Sequence, residues 1–161
     1  METKVSDIQY LIDRMAIQEL NSDFFQYLDH SDFAKLLDLF CDDAIYSHGS
    51  RVSTGKIEIA SLFNARGKDK TRTVRHLYSN LKIEFIDNHH ATGQSVCLTF
   101  GADAEAPINS AEPYLVADFS DRYERNSNGQ WRISSRHIER IFVAQNNSGP
   151  EGMGLPNVTM V

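Results

Sequence analysis

The chain contains few residues that could crosslink it. Its 161 residues include two cysteines, Cys41 and Cys97, and neither belongs to a CxxC motif or to a Cys/His ligand spacing. Two cysteines in a chain of this length do not indicate the disulfide framework of a small secreted domain. Each stands beside an apolar residue, which favours two buried thiols.

The motifs of several enzyme classes are also missing. The sequence has no HExxH, no HxH and no carboxylate set with ligand spacing, and His89 and His90 are adjacent, so they would point to opposite sides of a strand. We therefore predict no metal site. There is no GxSxG nucleophile elbow and no glycine-rich phosphate loop, since Gly152 and Gly154 follow no strand. We expect no cofactor.

Excess positive charge and long apolar runs are absent as well. The formal net charge is −6 and the basic residues are scattered among acidic ones, whereas nucleic-acid-binding domains carry a basic surface. No apolar run approaches the roughly 20 residues that cross a bilayer, and the first residues lack the layout of a signal peptide. We predict a cytoplasmic protein that binds neither nucleic acid nor membrane.

The first third of the chain has a helical pattern. Ser6 and Gln9 have capping-box spacing, and apolar residues follow at intervals of three and four, with one wider step: Ile8, Leu11, Ile12, Met15, Leu20, Phe24 and Leu28. This pattern predicts a long amphipathic helix that ends with Asp29 in its last turn. The elements predicted next are a short helix (33–40), two short strands (44–47 and 51–53) and a third helix (57–65).

The second half is rich in β-branched and aromatic residues, which predicts strands at 74–86, 94–100, 114–125 and 130–144. Asn128-Gly129, between the last two, is a hairpin signal. Helices followed by long strands indicate an α+β fold, with the helices packed on one face of a curved antiparallel sheet. We expect a single domain over residues 1–144 and a flexible or docking C-terminal tail over 145–161.

Two polar residues far apart in the sequence could form a general base. Asp29 closes the first helix, and His76 lies near the start of a predicted strand. If the fold brings them together, the carboxylate can orient the imidazole and stabilise its protonated form, which suits proton abstraction near neutral pH. Alternatively, Asp29 is a helix-ending turn residue and His76 is a hydrogen-bonded histidine of the sheet.

Three further side chains could act beside such a base. The phenol of Tyr46 could hydrogen-bond a substrate oxygen, or it could be a half-buried strand tyrosine. Arg136 and Arg140 share one face of a predicted strand, whereas His137 points to the other face. Either arginine could bind an anionic or departing group, or could form surface ion pairs.

The order of these elements resembles the nuclear transport factor 2-like cone fold over residues 7–144. Within that superfamily the chain is similar to the SnoaL-like and scytalone dehydratase-like branch, which also contains polyketide cyclases, hexachlorocyclohexane dehydrochlorinase and bile acid 7α-dehydratase. The segments that carry the resemblance are Asp13–Leu20, Tyr27–Asp29, Asp42–Ala44, Arg75–Phe85 and Tyr123–Arg125 with Gly129–Trp131. The resemblance implies a cone-shaped α+β fold with three helices around a pocket.

The same resemblance assigns roles to candidate residues. In that branch an aspartate at the end of the first helix and a histidine on the following long strand form a catalytic pair, and Asp29 and His76 fall on those positions. Tyr46 matches a tyrosine of scytalone dehydratase. Arg136 falls near an arginine of the dehydrochlorinase, and Arg140 falls near one of the bile acid dehydratase.

The chain departs from its relatives at two positions of the first helix. Leu28 replaces a tyrosine of scytalone dehydratase, and Phe24 stands where the bile acid dehydratase has tyrosine and the dehydrochlorinase has lysine. None of those exact substrates is therefore supported. Phe24, Leu28 and aromatic strand residues predict a pocket that binds an apolar, cyclic ligand.

The residues and the resemblance together predict a cofactor-independent lyase or isomerase of dehydratase, dehydrochlorinase or cyclase type. The alternative is a non-catalytic small-molecule binding domain, or an assembly subunit resembling the small subunit of aromatic-ring dioxygenases. An open apolar pocket would favour the enzyme, and a large exposed apolar sheet face would favour the assembly role. We expect a homodimer or homotrimer in either case.

Overall fold

The structure, a computed structural model, describes residues 7–66, 72–109 and 112–144. The predicted tail over 145–161 lies outside the described residues. The helices and strands follow one another in the order α1 (Asp7–Asp29), α2 (Phe33–Asp38), β1 (Phe40–His48), β2 (Arg51–Thr54), α3 (Gly55–Arg66), β3 (Thr73–Phe85), β4 (His90–Ala102), β5 (Pro113–Arg125) and β6 (Trp131–Val143).

The strands form one curved, unclosed sheet in the order β2-β1-β6-β5-β4-β3. The predicted α+β cone fold is confirmed. One pairing corrects the expectation of a purely antiparallel sheet, because β1 runs parallel to β6 while the other neighbours are antiparallel. The reason is that no hairpin joins β1 to β6: the chain crosses to the far edge of the sheet through α3 before the long strands begin.

The long strands have an inner face that packs against the helices and an outer face that does not. Alternate residues such as Ile83, Cys97, Phe119 and Ile138 are buried on the inner side, as the period of two in a strand requires. From the helices, the buried side chains that meet them include Phe24, Leu36 and Phe63. The core therefore lies inside the curve of the sheet.

The outer face carries an apolar row across all four long strands. Leu77 pairs with Leu98, which pairs with Val116, which pairs with Phe142, and directly paired residues share a face. Leu77 is 58% exposed and Phe142 is 68% exposed. We call these four residues the outer row.

The apolar spacing of α1 predicted the helix but not all of its buried face. Ile8, Leu11, Ile12 and Met15 are exposed, whereas Asp13 is buried. Asp13 accepts hydrogen bonds from Trp131 Nε1 (3.1 Å) and Gln9 Nε2 (3.0 Å) and lies 2.5 Å from Arg125 Nη2. The first turns of α1 are thus fixed to the β5–β6 hairpin by a buried carboxylate, and their apolar stripe is turned away.

The partners of Asp13 stabilise its ionised form. Burial alone would raise the pKa of Asp13, but hydrogen bonds from Arg125, Trp131 and Gln9 lower it below its usual value. The guanidinium of Arg125 also lies over the Trp131 ring, 4.6 Å from its centroid. This cluster joins α1 to the two strands that carry the middle of the candidate site.

We expect Asp13→Asn to lower the free energy of unfolding by about 2 kcal/mol at pH 7, because Arg125 and the indole N–H lose an ionised acceptor. The native pKa of Asp13 is depressed, so its contribution is complete above the unfolded-state pKa and is lost as pH falls through the native pKa. Urea unfolding should therefore show a gap between wild type and variant that narrows from pH 7 towards about pH 2. Glu19→Gln, exposed on the same helix, is the control, and a gap independent of pH would contradict the assignment.

Candidate active site

The structure brings Asp29 and His76 into direct contact. Oδ1 of Asp29 lies 2.5 Å from Nδ1 of His76, and Oδ2 accepts a hydrogen bond of 3.0 Å from the backbone N–H of the same residue. The side chains of His76 and Asp29 are only 9% and 7% exposed. A single carboxylate thus holds both the ring and the main chain of His76.

The end of α1 leaves Asp29 available for this contact. The helix stops in a turn in which Ser31 has a φ of +57°, and the N–H of Asp32 donates to Tyr27 O (2.9 Å). Asp32 caps the next helix by accepting from Lys35 N. The turn chemistry falls to Ser31 and Asp32, so the carboxylate of Asp29 is free to face β3.

The contact with Asp29 fixes the tautomer of His76. A carboxylate accepts, so Nδ1 carries the proton and Nε2 presents its lone pair. Within the described parts of the chain, Nε2 has no hydrogen-bond partner. The Phe25 ring lies beside the imidazole with the two centroids 5.7 Å apart, and it also stacks on Tyr78 at 5.1 Å. The imidazole is therefore held in one orientation.

A buried arginine lies on the same inner face. Arg136 is completely buried and makes a bidentate pair with Asp121, with Nε at 2.9 Å from Oδ1 and Nη2 at 2.8 Å from Oδ2. Nη2 also donates to Asn21 Oδ1 at 2.5 Å. Burial alone would lower the pKa of Arg136, but Asp121 raises it above its ordinary value. The guanidinium therefore stays charged.

Tyr123 completes the hydrogen-bond network around this arginine. We call Asn21, Asp121, Tyr123 and Arg136 the arginine network. The hydroxyl of Tyr123 donates to Asp121 Oδ2 (2.7 Å) and accepts from Asn21 Nδ2 (3.0 Å). Burial and the Asp121 charge raise the pKa of Tyr123 well above its ordinary value, so the phenol stays protonated. Gly93 makes room for it, because a Cβ there would lie 2.7 Å from the Tyr123 ring.

One nitrogen of Arg136 is unsatisfied. Nη1 is buried and has no hydrogen-bond partner in the described part of the chain. The guanidinium carbon lies 4.1 Å from the Phe24 ring centroid, 5.3 Å from that of Phe119 and 5.8 Å from that of Phe25. Phe25 thus touches both His76 and Arg136. A buried donor with no acceptor is costly, and such groups concentrate where a ligand or water completes the site.

The other predicted site residues lie around this centre. Tyr46 is buried and is in register with Arg136 on the neighbouring strand. Phe24 is fully buried, and Leu28 packs against the core while partly exposed. Arg140 shares the inner face with Arg136, and its Nε donates to His48 Nε2 at 3.1 Å. The alternative of surface ion pairing is wrong for Arg136, because this residue is buried.

Three members of the arginine network, Asn21, Asp121 and Tyr123, were not predicted from the sequence as site residues. Asp121 and Tyr123 lie in a charged stretch that reads as solvated surface, although alternate residues of β5 are buried. The period of two placed them on the same side as Phe119 and was the available signal. Asn21 follows Leu20 on the buried face of α1 and carries no local signal of its own.

The two thiols are not reactive groups. Burial raises the pKa of Cys97 to about 12 and that of half-buried Cys41 to about 11. The expectation of buried thiols therefore fits Cys97 better than Cys41. Across residues 7–66, 72–109 and 112–144, no three His, Cys, Asp or Glu side chains converge as metal ligands.

Two surface hollows that described residues line lie away from the Asp29–His76 pair. One, of about 390 Å³, is on the outer face between Lys82 and His137. The other, of about 380 Å³, runs between α1 and Trp131. None of the predicted site residues lines either hollow. In the described ranges, no helix has the length and apolar character needed to cross a membrane.

Fold and geometry define a cone-type α+β protein with a carboxylate–imidazole pair on its inner face. The chain belongs to the SnoaL-like domain family, whose profile matches residues 9–137. It is 28% identical over 134 residues to the gamma-hexachlorocyclohexane dehydrochlorinase of Sphingobium indicum, covering 83% of each chain. The predicted resemblance to this branch of the nuclear transport factor 2-like superfamily is confirmed.

Solved structures give the same fold. The crystal structure of LinA superposes with a TM-score of 0.74 at 26% identity, covering 89% of this chain and 97% of LinA. A candidate scytalone dehydratase from Novosphingobium aromaticivorans also gives a TM-score of 0.74, at 21% identity, with 88% and 92% covered. A Catenulispora acidiphila protein in complex with S-DNPA gives 0.68 at 18% identity, with 79% and 92% covered.

We expect Asp121→Asn to destabilise the protein by about 3 kcal/mol, because the buried Arg136 guanidinium loses its counter-charge. Asp118→Asn is the matched control, since Asp118 is exposed on the outer face of the same strand. Urea unfolding of both variants at pH 7 measures the difference. Equal losses in the two variants would show that the arginine network does not support the fold.

Proposed function

We propose that the protein is a cofactor-independent lyase or isomerase that abstracts a proton from an apolar cyclic small molecule, with Asp29 and His76 as its general base. The observation that carries the proposal is the Asp29 Oδ1 to His76 Nδ1 contact of 2.5 Å, which leaves Nε2 without a protein partner in the described chain. That arrangement supplies an oriented base in a largely buried position.

The proton moves from a substrate carbon to Nε2 of His76. Asp29 keeps the ring in the tautomer whose Nε2 is basic, and its negative charge stabilises the imidazolium as it forms. Asp29 also lies at the C-terminal end of the 23-residue helix α1. The negative end of the helix dipole faces the forming positive charge and adds to this stabilisation.

Loss of the proton leaves negative charge on the substrate or on a departing group. Arg136 can neutralise that charge through Nη1, the nitrogen that has no acceptor among the described residues, and the Tyr46 phenol on the adjacent strand can donate a hydrogen bond. Nη1 is covered by phenylalanine rings, so this role requires a ring to shift when substrate enters. In this scheme Arg140, nearer the strand end, contacts the substrate rather than the reacting atoms.

The aromatic surroundings support an apolar cyclic substrate. Phe24, Phe25 and Phe119 lie against Arg136, and Leu28 lies one residue before Asp29. The name of the Sphingobium relative gives hexachlorocyclohexane, a chlorinated ring, as the compound it dehydrochlorinates. An elimination that starts with proton transfer is chemistry that the Asp29–His76 geometry can perform.

We expect His76→Ala and Asp29→Asn each to reduce proton abstraction by about 100-fold or more, because positioned general bases contribute rate factors of that order. The probe is 5-nitrobenzisoxazole, an apolar bicycle that opens to a coloured nitrophenolate when one proton is removed. Its turnover by purified wild-type protein is compared with that of both variants and with free imidazole.

His30→Gln is the control for this comparison, since His30 is exposed at the same helix end. It should keep the wild-type rate, and circular dichroism should show that all variants remain folded. Full activity in His76→Ala, or a wild-type rate no higher than that of imidazole, would refute the proposed base.

The outer row favours a second candidate function, that of an assembly subunit. Leu77 and Phe142 expose large apolar surfaces, and contiguous exposed apolar patches mark interaction sites. A homodimer or homotrimer through this face is compatible with catalysis, whereas a non-catalytic subunit would use the face without needing the base.

We expect Phe142→Ser to shift sedimentation velocity profiles from an oligomer towards the 18.2 kDa monomer, because the aromatic contact that Phe142 makes between subunits of the expected oligomer is lost. Arg75→Gln, a polar change on the same outer side, should leave the profile unchanged. A monomeric wild-type protein would exclude the outer row as a self-association surface.

A further inference from the structure

We propose that Arg72 is an anchor for a ligand carboxylate on the inner face of the cone. The substrate class of the proposed reaction then becomes an apolar ring that carries a carboxylate. The catalytic part of this inference rests on the proposed function, but binding of the carboxylate does not.

The guanidinium of Arg72 is buried and only partly satisfied. Its side chain is 10% exposed, and Nη1 pairs with Asp103, whose side chain is 58% exposed. Nε and Nη2 are buried, and among residues 7–66, 72–109 and 112–144 neither has a hydrogen-bond partner. These two nitrogens form one edge of the guanidinium fork, the edge that receives a carboxylate through two parallel hydrogen bonds.

The described residues around Nε and Nη2 of Arg72 supply no hydrogen-bond acceptor. The guanidinium lies over the Tyr114 ring, 5.5 Å from its centroid. Gly101 provides the space for Nη2, since a Cβ at that position would lie 3.1 Å from it. A glycine and an aromatic face give room and an apolar wall. Within the described chain the two N–H groups have no acceptor, which costs free energy that a ligand carboxylate would recover.

Arg72 and His76 lie on the same side of the sheet. His76 pairs with Thr99 and Val74 pairs with Gly101, so these residues share one face of the sheet. A Cβ at Gly101 would lie 3.1 Å from Arg72 Nη2, which places Arg72, just before β3, on that face. The two Cα atoms are separated by four residues of extended chain, about 13 Å. A ring held at the imidazole could therefore extend a carboxylate towards the start of β3, where Arg72 lies.

Access to the fork requires a local movement. Asp103 and the residues that follow it up to 109 are exposed and form no helix or strand. Because Asp103 contacts Nη1, this loop lies beside the guanidinium, and we expect the ligand to displace it while the strands stay in place. The Asp103 pair keeps the guanidinium oriented but neutralises it only partly, because Asp103 is largely in solvent.

The test uses a matched pair of probes, 2-naphthoate and its neutral isostere 2-naphthamide. Isothermal titration of the full-length chain should show that the acid binds at least tenfold more tightly than the amide. Arg72→Gln should abolish that preference, and Arg72→Lys should restore only part of it, because an ammonium group cannot form the bidentate pair.

Arg75→Gln is the matched control. Arg75 is exposed on the opposite face of the same strand and donates to its neighbour Val74 O, so the acid preference should persist in this variant. In wild-type protein, naphthoate should also shift the Arg72 Nε–H resonance in a ¹H–¹⁵N spectrum, which tests the contact without any substitution.

The outcomes separate this inference from the proposed base. Equal binding of acid and amide by wild type, binding of neither, or an unchanged preference in Arg72→Gln would each overturn the carboxylate site. His76→Ala should retain the acid preference while losing turnover of 5-nitrobenzisoxazole. Loss of turnover in His76→Ala alone thus bears on the base and not on Arg72.

Discussion

The buried pair between Asp121 and Arg136 is the interaction on which the rest of the interior depends. An arginine with no exposed surface can stay charged only because a carboxylate and an amide surround it. The pair joins β5 to β6, and Asn21 extends it to α1. Because ions are costly to bury alone, these three elements must pack in one arrangement, and that arrangement orients the inner face on which the candidate site lies.

The candidate site combines groups from the first and the last of the four long strands, β3 and β6. His76 lies on the edge strand β3, whereas Arg136 lies on β6, three strands away in the sheet order. Curvature and the helix bring them to one aromatic side chain, since Phe25 contacts both. A flat sheet would leave the base and the cation too far apart to act on one small molecule. The curvature is therefore a condition of the proposed chemistry.

Local patterns in the sequence predicted the helices and strands well. The features that they did not predict depend on contacts between residues far apart in the chain. The period of two located the long strands, and helical spacing located α1, but Ile8 and Met15 are exposed because the buried side of that turn belongs to Asp13. The local sequence around Asp121 likewise predicts a surface charge. Asp121 is buried because Arg136 lies opposite it on the neighbouring strand. The hypothesis that Asp29 and His76 meet came from the family resemblance, because their spacing in the sequence does not by itself predict a contact.

Three largely buried polar side chains of α1 contact the sheet at intervals of eight residues, namely Asp13, Asn21 and Asp29. Eight helical residues advance about 12 Å and rotate the side-chain direction by about 80°, so the three side chains leave the helix on different sides. An apolar helix face can slide or roll by a small amount at little cost, but three separate hydrogen-bonded anchors fix both its axial position and its rotation. The location of Asp29 against β3 is consequently set in part by Asp13 at the other end, so the helix transmits a remote packing change to the Asp29–His76 pair as a shift in register.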